Sequence, residues 1–445
     1  MKIIKVLVNL SIVTMLVAVF IGESAGAKEL EYWSFFTKGE PYQIGLSNVI
    51  SGFEKAHPGV KVKVVWAGRD VLTKMRPRVL MGNPPDLTDQ AASELYAALV
   101  LSENALPLND LLDEKVPDTN QKLRDVLKPN TWELFTTVEG KLYVIPYEVC
   151  VTAIWYNGRL FDKFGIAIPK TWDELIEICQ ILKNQGISPF AQDGTIDFYN
   201  AYWLTSVANR VLGRGAFHKA AHDYTGKAWD NPGWLESARK IEEISPRGKD
   251  FFEKGFEGSS WPSSQIGWAR GETAMILMSS WLPVEVKNSA PKDFEFRCFP
   301  FPQVKGGKGS ATDIEVFLSA FSVLKDAKNP ELAKEFIKFA LTKENQKKMI
   351  ADVGSIPTRM GIPVDVSMED ANQMIINSTQ SHRMYDGVQC DFPEWWMKVF
   401  LPLDDQLLFG KISAKDFLTQ IKQKSVRFWE EKKAKGEEKR YVPLR

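Results

Sequence analysis

The run from Gly140 to Leu175 constrains the fold more than any other part of the chain. Tyr143-Val144-Ile145 leads into Pro146-Tyr147, the apolar run Ile154-Trp155-Tyr156 ends at Asn157, and Pro169-Lys170-Thr171-Trp172-Asp173-Glu174-Leu175 closes the segment. Pro146 fixes a backbone dihedral where the chain leaves a first strand, and Ile154 to Tyr156 suits a second, buried strand. Thr171 is placed to cap a helix, because its hydroxyl can accept from the amide of Glu174, whose carboxylate can reach back. Trp155 and Trp172 read as core residues of this unit.

The flanking segments alternate in the same way. Leu30 to Phe36 is strand-like, and Ile44 to Lys55 places Ile44, Leu46, Val49, Ile50 and Phe53 at helical spacing. His57-Pro58-Gly59 stops that helix, and Val60 to Trp66 alternates as a strand. Strand, helix, strand implies a parallel sheet with a crossover. Val71 to Met81 reads as helix, Gly82-Asn83-Pro84-Pro85 breaks it, and Asp86-Leu87 opens a short strand whose exit carries Thr88, Asp89 and Gln90. After Leu175 the pattern predicts helices over 171–185, 199–212, 234–244 and 271–279. Phe299-Pro300-Phe301-Pro302 and Lys305-Gly306-Gly307-Lys308-Gly309 form a connector, and Phe317 to Val323 is strand-like. Asn329-Pro330 then opens a helix with Leu332, Ala333, Phe336, Ile337, Phe339 and Ala340 as its apolar stripe. Beyond the break at Gly354-Ser355-Ile356-Pro357 the chain is expected to be helical, and the mixed charges of Lys422 to Arg440 predict a solvated helical tail.

Composition narrows the function. Lys2 and Lys5, the apolar stretch Val6 to Ile21 and Ala25-Gly26-Ala27 read as a secretory signal, with the mature chain expected to begin near Lys28. No cysteine lies near that junction, so a lipid anchor is not expected. The whole chain carries no net charge, and removing Lys2, Lys5 and Glu23 leaves about −1, which argues against nucleic acid as a partner. The 445 residues exceed what one core usually serves, so two domains are expected. Cys150, Cys179, Cys298 and Cys390 lack metal-type spacing and read as buried free thiols. With only 4 histidines but 14 tryptophans and 26 phenylalanines, the chemistry on offer is stacking and hydrogen bonding more than proton transfer, and no cofactor is expected.

The opening run resembles one family, the extracellular solute-binding proteins that feed sugars to ABC importers, to which the maltose-binding protein belongs. Further fragments share the resemblance in order: Phe53-Glu54-Lys55-Ala56-His57-Pro58-Gly59-Val60, Gly82-Asn83-Pro84-Pro85-Asp86, Leu106-Pro107-Leu108, Gly271-Glu272-Thr273-Ala274-Met275 with Trp281, Ala333 to Phe339, and Gly354-Ser355-Ile356-Pro357. The resemblance implies an α/β, two-lobed periplasmic binding protein fold with a hinge and a helix-rich second lobe. Residues 28–146 and 300–345 would build the first lobe, and 147–299 with 346–445 the second. It also implies a monomer that binds a carbohydrate between the lobes and hands it to an ABC permease in the inner membrane.

Ligands of open α/β sheets bind at the carboxyl ends of strands. That rule points to Phe36 and Lys38 after the first strand, Asp89 and Gln90 after Asp86, and Tyr147 at the crossing. The resemblance adds Tyr199, Trp203 and Trp281, and Trp395, Trp396 and the loop Asp313 to Glu315 complete the candidates. A pyranose offers a C–H face to an aromatic ring and a rim of hydroxyls to Asp, Gln, Lys and Tyr. Structural readings stand beside these: Asp89 could cap a following helix, Lys38 could be a solvated loop charge, and only one of the adjacent Trp395 and Trp396 can face a cleft.

Three rival functions remain open. Lys38 with Arg69 or Arg270 could engage an anionic solute such as a uronate or a phosphorylated polyol. Glu148, Asp313 and Glu315 could supply the carboxylate pair of a glycosidase. A sensory or adhesion protein would share the fold. His218 and His222 stand at metal-ligand spacing without a third ligand nearby, Gly306-Gly307-Lys308-Gly309 lacks the phosphate-loop spacing, and Asn377-Ser378-Thr379 is an incidental sequon.

Overall fold

A computed structural model of the chain describes residues 28–437 except 352. The signal-type segment and the end of the charged tail lie outside the described residues.

Among the described residues ten strands define the architecture: β1 (Lys28–Ser34), β2 (Val60–Trp66), β3 (Leu87–Ala91), β4 (Ile145–Asn157), β5 (Ser188–Ala191), β6 (Thr273–Ser279), β7 (Phe296–Phe299), β8 (Asp313–Val323), β9 (Ile356–Pro357) and β10 (Gln380–Arg383). They run in the order β2-β1-β3-β8-β4-β6-β5, with β7 and β9 also on β4 and β10 on β8. In the first lobe β1 is parallel to β2 and β3, from Lys28 against Val60 to Ser34 against Trp66. The helix Pro41–Ala56 between β1 and β2 buries Tyr42, Leu46, Val49, Ile50 and Phe53, the one-sided spacing of a helix lying on a sheet.

Strand β4 belongs to both lobes. Its first half, Ile145 to Val151, pairs antiparallel with β8, and its second half pairs with β6 (Thr152 to Tyr156) and β7 (Ile154 to Asn157). The register shifts between Pro146 and Glu148, so Tyr147 bulges out of the ladder. Pro146 has no amide hydrogen to give, which suits an irregular position. The freed Tyr147 carbonyl accepts from Thr358 N (3.2 Å) and Gln346 Nε2 (2.8 Å).

Several sequence expectations are met within a residue or two. Trp155 is fully buried with Nε1 donating to the Met278 carbonyl at 3.0 Å, and Trp172 is buried with Nε1 on Glu243 at 3.0 Å. Thr171 accepts from Glu174 N at 3.3 Å, but the Glu174 carboxylate accepts from Lys170 N (2.6 Å), one residue earlier than a reciprocal cap would need. All four cysteines are free thiols.

Four expectations are corrected. Residues 271–279 form no helix: Thr273–Ser279 is β6, a wholly buried strand between β4 and β5, and periodicity does not separate a short continuous apolar run from a buried helix. The supposed loop Asp313 to Glu315 is the start of β8, aligned with β10, a strand in the part expected to be all helical. The chain stays on the first lobe after 345: Lys343–Ile350 is a helix packed on Pro41–Ala56, close enough that a Cβ on Gly45 would stand 2.7 Å from the Met349 carbonyl, β9 pairs with β4, and Arg359 Nη2 reaches Asp118 at 3.0 Å. The charged tail is helical to Ala434 with most of its charged residues exposed, as expected, but it is not wholly solvated, because Ser425 and Trp429 are buried.

Candidate functional site

Two polar clusters meet where β4 passes between the lobes. On the first lobe, Asp89 is fully buried in the middle of β3 and spends both carboxylate oxygens: Oδ1 accepts from the Tyr32 hydroxyl and Oδ2 from the Tyr147 hydroxyl, each at 2.8 Å. Burial pushes its pKa up to about 6 against those bonds, and the two tyrosines are raised well above their ordinary range. Tyr147 also packs on Phe321 at 4.6 Å. Gln90 is buried too, donating to the Arg69 carbonyl at 3.1 Å and accepting from Ala91 N at 2.9 Å. The expected contacts Asp89, Gln90 and Tyr147 are thus committed to the protein, and Asp89 caps no helix.

Beside this cluster Phe36 stacks on Tyr42 at 4.7 Å, and the Tyr42 hydroxyl meets Ser355 Oγ at 2.5 Å. Ser319 Oγ donates to Glu148 Oε2 at 2.5 Å, and burial raises the Glu148 carboxyl. Arg69 lies over Phe35 and Phe36, donates to the Phe35 carbonyl (2.8 Å) and pairs with Glu40 (3.0 Å). Lys38 is exposed in the loop after β1.

The second lobe presents a different surface. Trp281 follows β6, is half-buried, and stands edge-on to half-buried Phe317 of β8 with ring centroids 6.1 Å apart. Its neighbour Ser280 accepts from Val151 N at 3.1 Å, tying this corner to β4. Tyr199, in the helix Asp197–Leu212, sits beside Gln265 and Trp281, and burial pushes its hydroxyl up to about 12. Gln265 has no exposed surface, yet neither Oε1 nor Nε2 makes a hydrogen bond of good geometry; Asp193, also buried, leaves Oδ2 unpartnered. Glu285 lies beside Gln265 and Trp261, and its carboxyl is raised by burial and by the Asp193 charge. Cys150 on β4 lies within electrostatic reach of both Glu148 and Glu285.

The remaining candidates are not brought to this corner as ligand surfaces. Trp203 is fully buried against Phe190, Phe252 and Phe301, with Nε1 on Gln192 Oε1 at 3.0 Å. Trp395 and Trp396 are both buried: Trp395 donates to Ser425 Oγ at 3.1 Å and Trp396 packs on Tyr385 and Phe400. Helical geometry kept one of the pair from the same direction as the other, and the docked C-terminal helix covers what remained. Asp313 accepts from Ser310 N at 2.9 Å. Glu315 accepts from Thr152 Oγ1 (3.0 Å) and Tyr385 N (2.9 Å), and burial raises its pKa to about 7. His382, 3.9 Å from Glu315, is driven by burial down to about 3 and is neutral. His218 bonds Asp391 at 2.9 Å, and His222 stacks on Phe392. Sequence reasoning missed Tyr42, Ser355, Phe317, Gln265 and Glu285; only the aromatic–polar alternation near Trp281 signalled any of them.

Two sheets sharing one long strand, with polar and aromatic side chains gathered at the crossing, define a two-lobed binding protein. The solved structures agree on the fold: the bacterial solute receptor AcbH has a TM-score of 0.74 at 15% identity over 91% of this chain and 99% of that one. The apo form of RafE from Streptococcus pneumoniae has a TM-score of 0.69 at 19% identity over 91% and 98%. The family model for bacterial extracellular solute-binding proteins matches residues 40–347, and the chain belongs to that family. Among curated relatives, the diacetylchitobiose-binding protein of Streptomyces coelicolor is 25% identical over 68% of this chain and 63% of its own length, so the chain spans somewhat under two thirds of that protein. The multiple sugar-binding protein of Streptococcus mutans is 25% identical over 74% of this chain and 76% of that one. Among the described residues no helix is long and apolar enough to cross a membrane.

Proposed function

We propose that the protein is a carbohydrate receptor of an ABC import system, exported to the periplasm through its cleaved N-terminal segment and working as a monomer that delivers its sugar to an inner-membrane permease. The observation that carries this reading is Trp281: a half-buried indole beside Phe317, just after β6, with Tyr199 next to it and the Glu285 carboxylate within electrostatic reach of that tyrosine. A pyranose packs its C–H face on such a ring and donates its hydroxyls to such neighbours. Relatives named for diacetylchitobiose, multiple sugars and raffinose support the same ligand class. Contact with both lobes would draw them together about β4, which excludes water from the sugar and forms the surface the permease reads.

A hydrolytic role finds less support. Glu148 and Glu315 are buried with oxygens held by Ser319, Thr152 and Tyr385, whereas a glycosidase needs two carboxyls free to reach one glycosidic bond. An anionic solute also finds less support, since Arg69 is already bound to Glu40 and the Phe35 carbonyl.

Thermal denaturation against mono- and oligosaccharides tests the proposal. A ligand at 100 times its dissociation constant stabilises by about 2.7 kcal/mol, so a true ligand gives a clear rise in Tm. A protein whose Tm rises with anions or peptides and with no carbohydrate is not a sugar receptor.

A further inference from the structure

The segment just after β10 makes a turn that L-residues avoid. Tyr385 (φ 52°, ψ 36°), Asp386 (φ 52°, ψ 19°) and Gly387 (φ 80°) are left-handed one after another. That conformation crowds a Cβ against the following carbonyl, so it occurs as single residues, mostly Gly, Asn or Asp, and a bulky tyrosine is out of place in it. At the third position glycine is required, since a Cβ on Gly387 would collide with the Arg383 guanidinium. A strained turn persists only where its surroundings hold it, and such turns gather at clamps and switches.

The groups that hold this turn come from different places. Glu315 of β8 accepts from Tyr385 N through Oε2 at 2.9 Å, while its Oε1 accepts from Thr152 Oγ1 of β4 at 3.0 Å. The Tyr385 hydroxyl donates to the Phe198 carbonyl at 2.7 Å, and Asp386 Oδ2 accepts from Gly215 N at 3.0 Å and Phe217 N at 3.2 Å. The tyrosine ring is fully buried against Tyr202 (5.2 Å) and Trp396 (4.7 Å). Thr152 marks the point where the crossing strand changes partners: Val151 is the last β4 residue paired with β8, and Thr152 is the first paired with β6. The side-chain bond from Thr152 to Glu315 thus continues a link that the ladder gives up there. At the far end Phe198 precedes Tyr199 in the helix Asp197–Leu212, their rings 4.7 Å apart. Hydrogen bonds therefore run from the lobe crossing through Glu315 and the strained turn to the start of the helix that carries Tyr199.

We propose that the left-handed turn Tyr385–Gly387 relays the setting of the lobe crossing to the edge of the second lobe at Phe198 and Tyr199. Rotation of the lobes about β4 moves Thr152 against β8 and frees Glu315 to turn. A turned Glu315 releases Tyr385 N, and the turn then sheds its strain by leaving the left-handed region, carrying the Phe198 carbonyl with it. Strain makes the turn an element with two arrangements rather than a passive spacer, which is what a coupling between two places requires. Thr152, Glu315 and Tyr385 are positioning residues and need not touch a ligand. The part of Tyr199 in holding a saccharide rests on the reading above; the relay itself does not.

Hydrogen exchange on the full chain, with no ligand added, tests the relay over residues 148–156 and 197–204. Thr152→Val keeps the side-chain shape and removes the donor, and it should speed exchange over 197–204 about five-fold as well as near β4. Tyr385→Phe keeps the ring and loses only the bond to Phe198, and by reciprocity it should speed exchange over 148–156. Thr152→Ser restores the hydroxyl and should match the natural protein, which a residue needed only for its bulk would not do. In denaturant unfolding the effects of Thr152→Val and Tyr385→Phe should fail to add by a factor of about three or more in the equilibrium constant. Natural exchange over 197–204 in a folded Thr152→Val, or additive effects in the double variant, overturns the relay and leaves the carbohydrate reading intact. If Thr152→Val does not fold, Tyr385→Phe decides alone: natural exchange over 148–156 overturns the relay, and faster exchange supports it. A protein that shows the coupled exchange and binds no saccharide keeps the relay and loses the carbohydrate reading.

Discussion

The two polar clusters beside β4 have similar ingredients and are bonded to different degrees. On the first lobe, Asp89, Tyr32 and Tyr147 are buried and every oxygen of the carboxylate is used. On the second, Gln265 and Asp193 are just as buried but more loosely held: the Gln265 amide lies against the Tyr199 hydroxyl and the Glu285 carboxylate without a hydrogen bond of good geometry, and Asp193 Oδ2 lacks one as well. A satisfied buried network fixes one packing of the chain, whereas an unsatisfied one costs stability until something completes it. The first cluster therefore belongs to the fold, and the second is the side on which we propose that the ligand sits.

The largest stability effect should come from breaking the satisfied side. Asp89→Ala strands two buried tyrosine hydroxyls, which should cost about 3 kcal/mol in denaturant unfolding. A loss below about 1 kcal/mol would show that water replaces the carboxylate there and that the contrast between lobes is weaker than drawn.

Next in size is a pH effect at Glu315, the buried carboxyl that joins β4, β8 and the segment after β10. Its pKa is raised from 4.5 to about 7, chiefly by burial. The folded protein thus holds this proton more tightly than the unfolded chain. The group's stabilising contribution is complete below about pH 4.5 and is lost as pH rises through about 7. Glu315→Gln keeps a bond to Tyr385 N and one to Thr152 without the charge. Melting curves should show the variant more stable than the natural sequence at pH 8, with the difference shrinking toward pH 5. A difference that does not change with pH would remove Glu315 as the source.

Tyr147→Phe should cost about 1–2 kcal/mol, since it leaves Asp89 Oδ2 buried without a donor, and saccharide affinity should not change. A fall in affinity with no fall in Tm would move Tyr147 from the fold to the site. The smallest effect is expected at Gln265→Met, where apo stability should change by no more than about 1 kcal/mol, because the amide that leaves the interior holds Tyr199 and Glu285 only loosely.

The course of the chain was legible where residues carry unambiguous signals. Thr171 and the buried Trp155 mark cap and core as the structure has them, and the helix over Leu46 to Phe53 follows from its spacing; Pro146, expected at the exit of a first strand, instead lies at the start of the single strand Ile145–Asn157 that also contains Ile154 to Tyr156. Met275 to Met278 was misread because an apolar run of that length fits either period, and only pairing with β4 and β5 decides it. Of the side proposed to hold the ligand, only Trp281 and Tyr199 were legible. Asp89 and Tyr147 carry residue types that suit a sugar, but their partners, Tyr32 and each other, lie over 50 residues apart, so the bond that occupies them is invisible in sequence. Trp395 and Trp396 disappear under a helix whose apolar face is diluted by lysines and glutamates.

Trp281 is where the central claim is most exposed. Calorimetric titration of one saccharide that stabilises the natural protein, repeated on Trp281→Ala and Tyr147→Phe, separates the two lobes in a single experiment. The account predicts undiminished binding heat for Tyr147→Phe and none for a folded Trp281→Ala; wild-type affinity in Trp281→Ala would contradict it.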